Sequence, residues 1–207
     1  MGRRRDSRSK IERGDFQTPP VLASEVCAVL AARLGDRTPR SIVEPTCGTG
    51  GLLGAALDAF PGFERALGVE INPAYVDAAR AAISERPDAA RICVEPGSFF
   101  DAIWRARIAE LPAPILVIGN PPWVTNSDLG ALASDNLPEK ANADRQSGMA
   151  ALTGKSNFDI SEAMLRELLA ALAGRDATLA MLCKTSVARK ILGFAWRSHL
   201  EIGRAHV

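Results

Sequence analysis

Apolar and polar residues alternate along this chain in blocks. Residues 21–34 are apolar at helical spacing, 41–46 form a short β-branched run, 50–60 return to helical spacing, and 66–71 form a second strand. A helix is predicted at 73–85, where Asn72-Pro73 supplies an N-cap and a proline in the first turn. A strand at 91–95, a helix over 99–109, a strand at 115–119, a long polar loop at 124–156, a helix at 158–173 and a strand at 178–184 follow. Strand and helix in turn predict an α/β fold with a mainly parallel sheet and right-handed crossovers.

One of these runs ends unusually. Ile115-Leu116-Val117-Ile118-Gly119 stops at Asn120-Pro121-Pro122-Trp123, which places an amide, two prolines and an indole at the carboxyl edge of the sheet, where open α/β folds bind ligands. Both prolines have fixed φ and no N–H, so the carbonyls of Asn120 and Pro121 sit in a stiff turn. The Asn120 side-chain oxygen and the Pro121 carbonyl could accept the two hydrogens of a planar amine and localise its lone pair, with Trp123 stacked on the ring. The tetrapeptide alone equally allows a strand-ending turn with Trp123 as a half-buried anchor.

Length and composition narrow the setting. A chain of 207 residues, 47% hydrophobic and 24% charged, suits one well-buried soluble domain. No apolar run approaches the roughly 20 residues that span a bilayer, and the Arg-rich start leads into no apolar signal core, so the expected location is the cytoplasm. Cys27, Cys47, Cys93 and Cys183 lack paired spacing, which favours reduced thiols over disulfides or a metal site. The net charge of +1 hides a basic arm at residues 1–13, whose removal leaves 19 basic against 22 acidic residues. Such an arm either grips phosphate in a salt-dependent way or is a solvated tail.

The first strand runs into Val43-Glu44-Pro45-Thr46-Cys47-Gly48-Thr49-Gly50-Gly51, a glycine turn that lets a ligand approach the backbone ahead of a helix N-terminus. The usual dinucleotide fingerprint fits it poorly. The second strand ends Gly68-Val69-Glu70-Ile71, an acid some 20 residues beyond the glycines, positioned to accept two ribose hydroxyls. Singly, Glu44 and Glu70 could be surface carboxylates; with the glycines they read as a nucleoside pocket.

Together these segments resemble a known family. Glu44-Pro45-x-x-Gly48-x-Gly50, Gly68-x-Glu70, Gly97-Ser98-Phe99-Phe100-Asp101 and Asn120-Pro121-Pro122-Trp123 stand in the order and spacing of S-adenosylmethionine-dependent DNA amino-methyltransferases. Gly14-Asp15-Phe16-Gln17-Thr18-Pro19 and Gly154-Lys155-Ser156-Asn157-Phe158-Asp159 resemble further family segments, so the likeness covers residues 14 to about 200. It implies a Rossmann-like class I methyltransferase fold over 14–200, S-adenosyl-L-methionine as cofactor and double-stranded DNA as partner. Phe16 and Thr18 would then line the methionine end of the cofactor. Glu44, Thr46, Gly48 and Gly50 would form the loop beneath it, Glu70 would hold the ribose, and Ser98 and Phe99 would flank the adenine. Asn120, beside the cofactor, would join Pro121, Pro122 and Trp123 in holding the target amine and its ring.

The implied reaction is direct transfer of the sulfonium methyl to an adenine amine, with the base flipped from the duplex. Ser98 stands where many members carry Asp, so any contact from that position to the cofactor's exocyclic amine is weakened or passes to a neighbour. Asn120 favours adenine over cytosine by the same resemblance. A methyltransferase acting on a protein glutamine amide and a non-catalytic binding fragment are the competing readings; the basic arm, the Phe16–Pro19 segment and Trp123 favour DNA.

The resemblance also implies seven strands and a later target-recognition region, whereas only five strands are predicted here. Glu201-Ile202-Gly203-Arg204-Ala205-His206-Val207 back-translates, with a stop codon, to a common sequencing-library adapter. The expectation is therefore a non-native tail at 201–207 on a partial catalytic domain whose exposed fifth strand lowers solubility and whose methylation of DNA is weak or absent. Reading the nucleotides behind residues 200–207 should show the adapter; unrelated codons there remove the idea.

Overall fold

The computed structural model describes residues 17–123 and 159–200. The basic arm with Phe16, the loop predicted at 124–156, the 154–158 segment and the terminal 201–207 lie outside the described residues.

Five strands, β1 (Ser41–Glu44), β2 (Arg65–Glu70), β3 (Ile92–Pro96), β4 (Ile115–Gly119) and β5 (Ala177–Met181), form one parallel sheet in the order β3-β2-β1-β4-β5. Among the described residues six α-helices accompany them: α1 (Pro20–Leu34), α2 (Gly51–Ala59), α3 (Pro73–Ser84), α4 (Trp104–Ala109), α5 (Ile160–Leu172) and α6 (Thr185–Arg197). The apolar runs that predicted β1 and β4 lack alternation because both faces of these strands are covered, as parallel sheets require. Ile42, Leu116 and Ile118 enter one core with Cys27 of α1, Leu53 and Leu57 of α2 and Val76 of α3. Val43, Ile115 and Val117 enter the other with Trp104 and Ile108 of α4 and Met164 and Leu168 of α5. Every residue of β4 is buried, whereas β5, at the sheet edge among the described residues, is half-buried throughout.

Most predicted elements stand within one or two residues of their observed bounds, and the departures have physical causes. β1 stops at Glu44 because Pro45 has no N–H for the ladder, and the Cys47 N–H turns to the Val69 carbonyl at 2.9 Å. The helix predicted over 99–109 is instead a 3₁₀ turn, Phe99–Asp101, followed by α4. Ser98 accepts the Phe100 N–H at 3.2 Å and caps that turn, while the Trp104 indole donates to the Phe99 carbonyl at 2.9 Å. A capped tight turn pinned by a buried indole cannot unwind into the helix beyond it. The strand predicted to 184 ends at Met181. Helix α6, absent from the prediction, packs Val187 and Ile191 against Leu165 of α5.

The order 3-2-1-4-5 reverses direction between β1 and β4. A parallel sheet opens a crevice at the carboxyl ends of such a pair, since the segments leaving the two strands go to opposite faces. The glycine turn after β1 and Asn120-Pro121-Pro122-Trp123 after β4 are therefore neighbours. The close packing behind the crevice is measurable at Gly68: a Cβ there would lie 2.9 Å from Cys47 Sγ and 3.1 Å from Leu53 Cδ2. Gly68→Ala should lower stability by about 1–3 kcal/mol, the usual cost of overpacking. An unchanged denaturation midpoint would show that the turn yields freely.

Candidate active site

The carboxyl ends of β1, β2 and β4 flank the crevice. After β1, Gly48 and Gly50 adopt left-handed φ values of 53° and 85°, conformations that Cβ-bearing residues resist, and Gly50 is the N-cap of α2. A Cβ at Gly48 would come within 2.7 Å of the Gln17 side chain, whose amide end would have to shift. Gln17 Oε1 accepts the Thr49 N–H at 3.2 Å and the Thr49 hydroxyl at 3.0 Å, fastening the segment ahead of α1 to the turn.

Glu70, at the end of β2, is buried with both carboxylate oxygens engaged. One accepts the Gly48 N–H at 2.8 Å and the other the Asn72 N–H at 2.7 Å. The same carboxylate thus ties the glycine turn to the start of α3, where Asn72 caps the Ala74 N–H as its sequence position predicts. Glu44 is more extreme. Only 2% of it is exposed, and its Oε2 has no hydrogen-bond partner, nor has the buried hydroxyl of Thr46 two residues on. Burial drives the Glu44 carboxyl well above the ordinary carboxylate range; the Leu53 N–H opposes this and the nearby Glu70 adds to it. Burial, with Glu44 and Glu70 close by, likewise raises the Cys47 thiol far above its usual value, which disfavours a thiolate there.

After β4, Pro121 is buried, Pro122 is half-buried, and Trp123 is 44% exposed. The Asn120 amide nitrogen donates to the Thr18 hydroxyl at 3.2 Å, joining residues 102 positions apart. That bond engages the NH2 end of the amide and so orients the group. The Trp123 indole donates to the Leu182 carbonyl at 3.2 Å, and the Lys184 ammonium lies 3.4 Å from the Trp123 carbonyl.

The structure therefore brings Thr18, Glu44, Thr46, Gly48, Gly50, Glu70 and Asn120 through Trp123 to one edge of the sheet. Ser98 and Phe99 arrive at the same edge, each with a local contact. Ser98 caps its own turn, and Phe99, 4% exposed, packs at 5.2 Å on the Trp104 ring in the cluster that holds Val43 and Val69. Phe16 and the residues 155 and 157 lie outside the described residues. The sequence reading assigns no role to Gln17, Leu182 or Lys184. A lysine just past the end of a carboxyl-edge strand was the available signal for the last of these.

Solved structures share this architecture. A candidate class I S-adenosylmethionine-dependent methyltransferase from Listeria monocytogenes superposes with a TM-score of 0.57 at 17% identity, over 87% of this chain and 52% of that one. A candidate RNA methyltransferase from Pyrococcus horikoshii gives 0.52 at 20% identity, over 88% and 69%. The fold is that of the class I methyltransferases. In sequence, the chain is 45% identical over 195 residues to the Type II methyltransferase M.NspV of Nostoc sp., covering 94% of this chain and 40% of that protein. It thus spans about two fifths of the length of the curated relative it matches. No family model matches.

Glu44 makes a pH signature. Its raised value means that the folded chain holds this proton more tightly than the unfolded chain, whose carboxyl titrates near 4.5. Stability contributed by the neutral carboxyl is full below that value and falls as pH rises towards the raised one. Thermal unfolding followed by circular dichroism should show this decline in the wild type and a flatter profile in Glu44→Gln. Parallel profiles would mean that Glu44 does not titrate as its burial demands.

Proposed function

We propose that this chain is the cofactor-binding and catalytic part of a methyltransferase that transfers the methyl group of S-adenosyl-L-methionine to the exocyclic amine of adenine in DNA, as in restriction-modification systems, with the target base flipped out. The observation that carries this reading is the meeting of Asn120, held by Thr18, with the Glu44 and Glu70 turn across the β1–β4 crevice.

The residues present fit the cofactor. Glu44 Oε2 and the Thr46 hydroxyl, both buried without partners, suit a ligand that brings its own donors and a positive charge. An ammonium group beside Glu44 would favour the ionised carboxylate that burial alone disfavours. Glu70 offers carboxylate oxygens for ribose hydroxyls, and the backbone at Gly48 admits close approach. Bound S-adenosylmethionine supplies an electrophilic methyl group. The protein's own part is to present the nucleophile. Asn120 Oδ1 and the Pro121 carbonyl accept the two amine hydrogens, favouring a tetrahedral nitrogen whose lone pair is localised for attack. Trp123 gives the flipped ring a stacking face at about 1–3 kcal/mol per base. No covalent enzyme intermediate is needed, in keeping with the raised thiol of Cys47.

Two further observations support DNA. The relative in Nostoc sp. is a Type II methyltransferase. Residues 177–200 include Lys184, Arg189, Lys190 and Arg197 and no acid, and α6, which begins beside the site, exposes Arg189, Arg197 and Trp196.

The test is expression of this chain in a host without adenine methylation, alone and joined to the part of M.NspV it does not cover, with mass spectrometry of host nucleosides. S-adenosylmethionine binding by calorimetry is expected for the chain alone. N6-Methyladenine is expected from the fusion, reduced about 100-fold or more by Asn120→Ala, on the scale of losing one group that stabilises the transition state. 4-Methylcytosine instead would replace the target base. Methylglutamine in host protein would replace the substrate class, and cofactor binding without transfer in either form would leave a binding module.

A further inference from the structure

We propose that Lys184, with Asp159, is a positioning residue that sets the orientation of Trp123 and hence the geometry of the amine clamp. This rests on the reading of Asn120 through Trp123 given above, although neither Lys184 nor Asp159 contacts Asn120 or the glycine turn through any described hydrogen bond.

Pro121 and Pro122 fix the backbone up to Trp123. What stays adjustable is the residue after them: the rotation of its carbonyl and the pitch of its indole. Two tethers from the end of β5 meet these freedoms. The indole N–H donates to the Leu182 carbonyl at 3.2 Å, and the Leu182 N–H is itself bonded to the Gly119 carbonyl at 2.9 Å. The second tether is electrostatic. Lys184 Nζ lies 2.8 Å from Asp159 Oδ2 and 3.4 Å from the Trp123 carbonyl. The shorter contact determines where the ammonium sits, and the longer one holds the carbonyl.

Asp159 is suited to anchoring because its other oxygen is already committed. Oδ1 accepts the Ser161 N–H at 3.1 Å and the Ser161 hydroxyl at 2.6 Å, capping α5. Its side chain is 9% exposed against 40% for Lys184, so the pair is partly shielded from water and less screened than a surface pair. The start of α5, the end of β5 and the last residue of the clamp are thereby joined through one ammonium group. A shift of Trp123 by a fraction of an ångström would misalign the stacked ring against the methyl donor, and misplacements of about 1 Å cost about 100-fold in rate.

The experiment uses the full 207-residue chain labelled with 5-fluorotryptophan. Three fluorine signals are expected from its three tryptophans, with that of Trp123 assigned by Trp123→Phe. Lys184→Met should move the Trp123 signal and leave that of buried Trp104 in place. Asp159→Asn, which keeps a side-chain oxygen for the helix cap, should move it likewise, and Lys184→Arg should restore it. S-adenosylmethionine affinity should stay within about twofold in all three, because the cofactor residues lie elsewhere. In the active fusion, Lys184→Met should lower kcat by about tenfold to 100-fold with the cofactor KM unchanged. A Trp123 signal that does not move, or an unchanged kcat, overturns the proposal. If wild-type fusion transfers no methyl group, the proposed function fails while the fluorine spectra still decide the tether.

Discussion

The pairing of β1 with β4 is the constraint on which the rest of this molecule depends. Ser41, Ile42 and Val43 lie opposite Ile115, Leu116 and Val117, and all six side chains are essentially inaccessible. Burial of one such aliphatic side chain stabilises by about 1.5–3 kcal/mol, so the pair is held from both faces by helices on either side. Because chain order reverses here, the crevice at its carboxyl end is the place where a segment from each half of the sheet can face a ligand. Gly119 shows how closely this is drawn: a Cβ there would lie 3.0 Å from Met181 and 3.7 Å from Pro45. Glycine lets β5 and the Pro45 turn approach β4 together.

Two carboxylates at that crevice have different environments. Glu70 is satisfied by two backbone N–H groups and shapes the turn even without a ligand. Glu44 is buried with an unpartnered oxygen, a condition that disfavours its charged form and weakens the free fold. Local strain of this kind persists where the surrounding structure over-determines it, and a bound positive charge would relieve it.

Much of the fold was legible from residue order. The strands at 41–44, 92–96 and 115–119 follow from short runs that hold β-branched Ile and Val, that at 65–70 from the apolar Ala66, Leu67 and Val69, and the start of α3 from Asn72-Pro73. The misreadings share a cause. Phe99 through Ala109 has an apolar content that suits one helix, but a side-chain cap from Ser98 and a long-range fit of Trp104 under Phe99 divide it. Helix α6 is hard to read from the sequence because its apolar side, Val187, Ile191 and Ala195, is set among residues whose partners are remote: Lys190 bonds Glu162 at 3.1 Å, and Phe194 receives the Arg166 guanidinium of α5 4.7 Å from its ring centre.

The residue order by itself determined which groups could do chemistry: the glycine turn, the acids 44 and 70, and the Asn-Pro-Pro-Trp end of a buried strand, because turn stereochemistry and hydrophobic runs are local properties. Only the tertiary structure decided which of them meet and in what state. That Thr18 orients Asn120, that Glu44 lacks a partner while Glu70 has two, and that Lys184 reaches both Trp123 and Asp159 depend on strand order and burial. Hydrogen bonding and desolvation act through space, across separations that no spacing along the chain encodes.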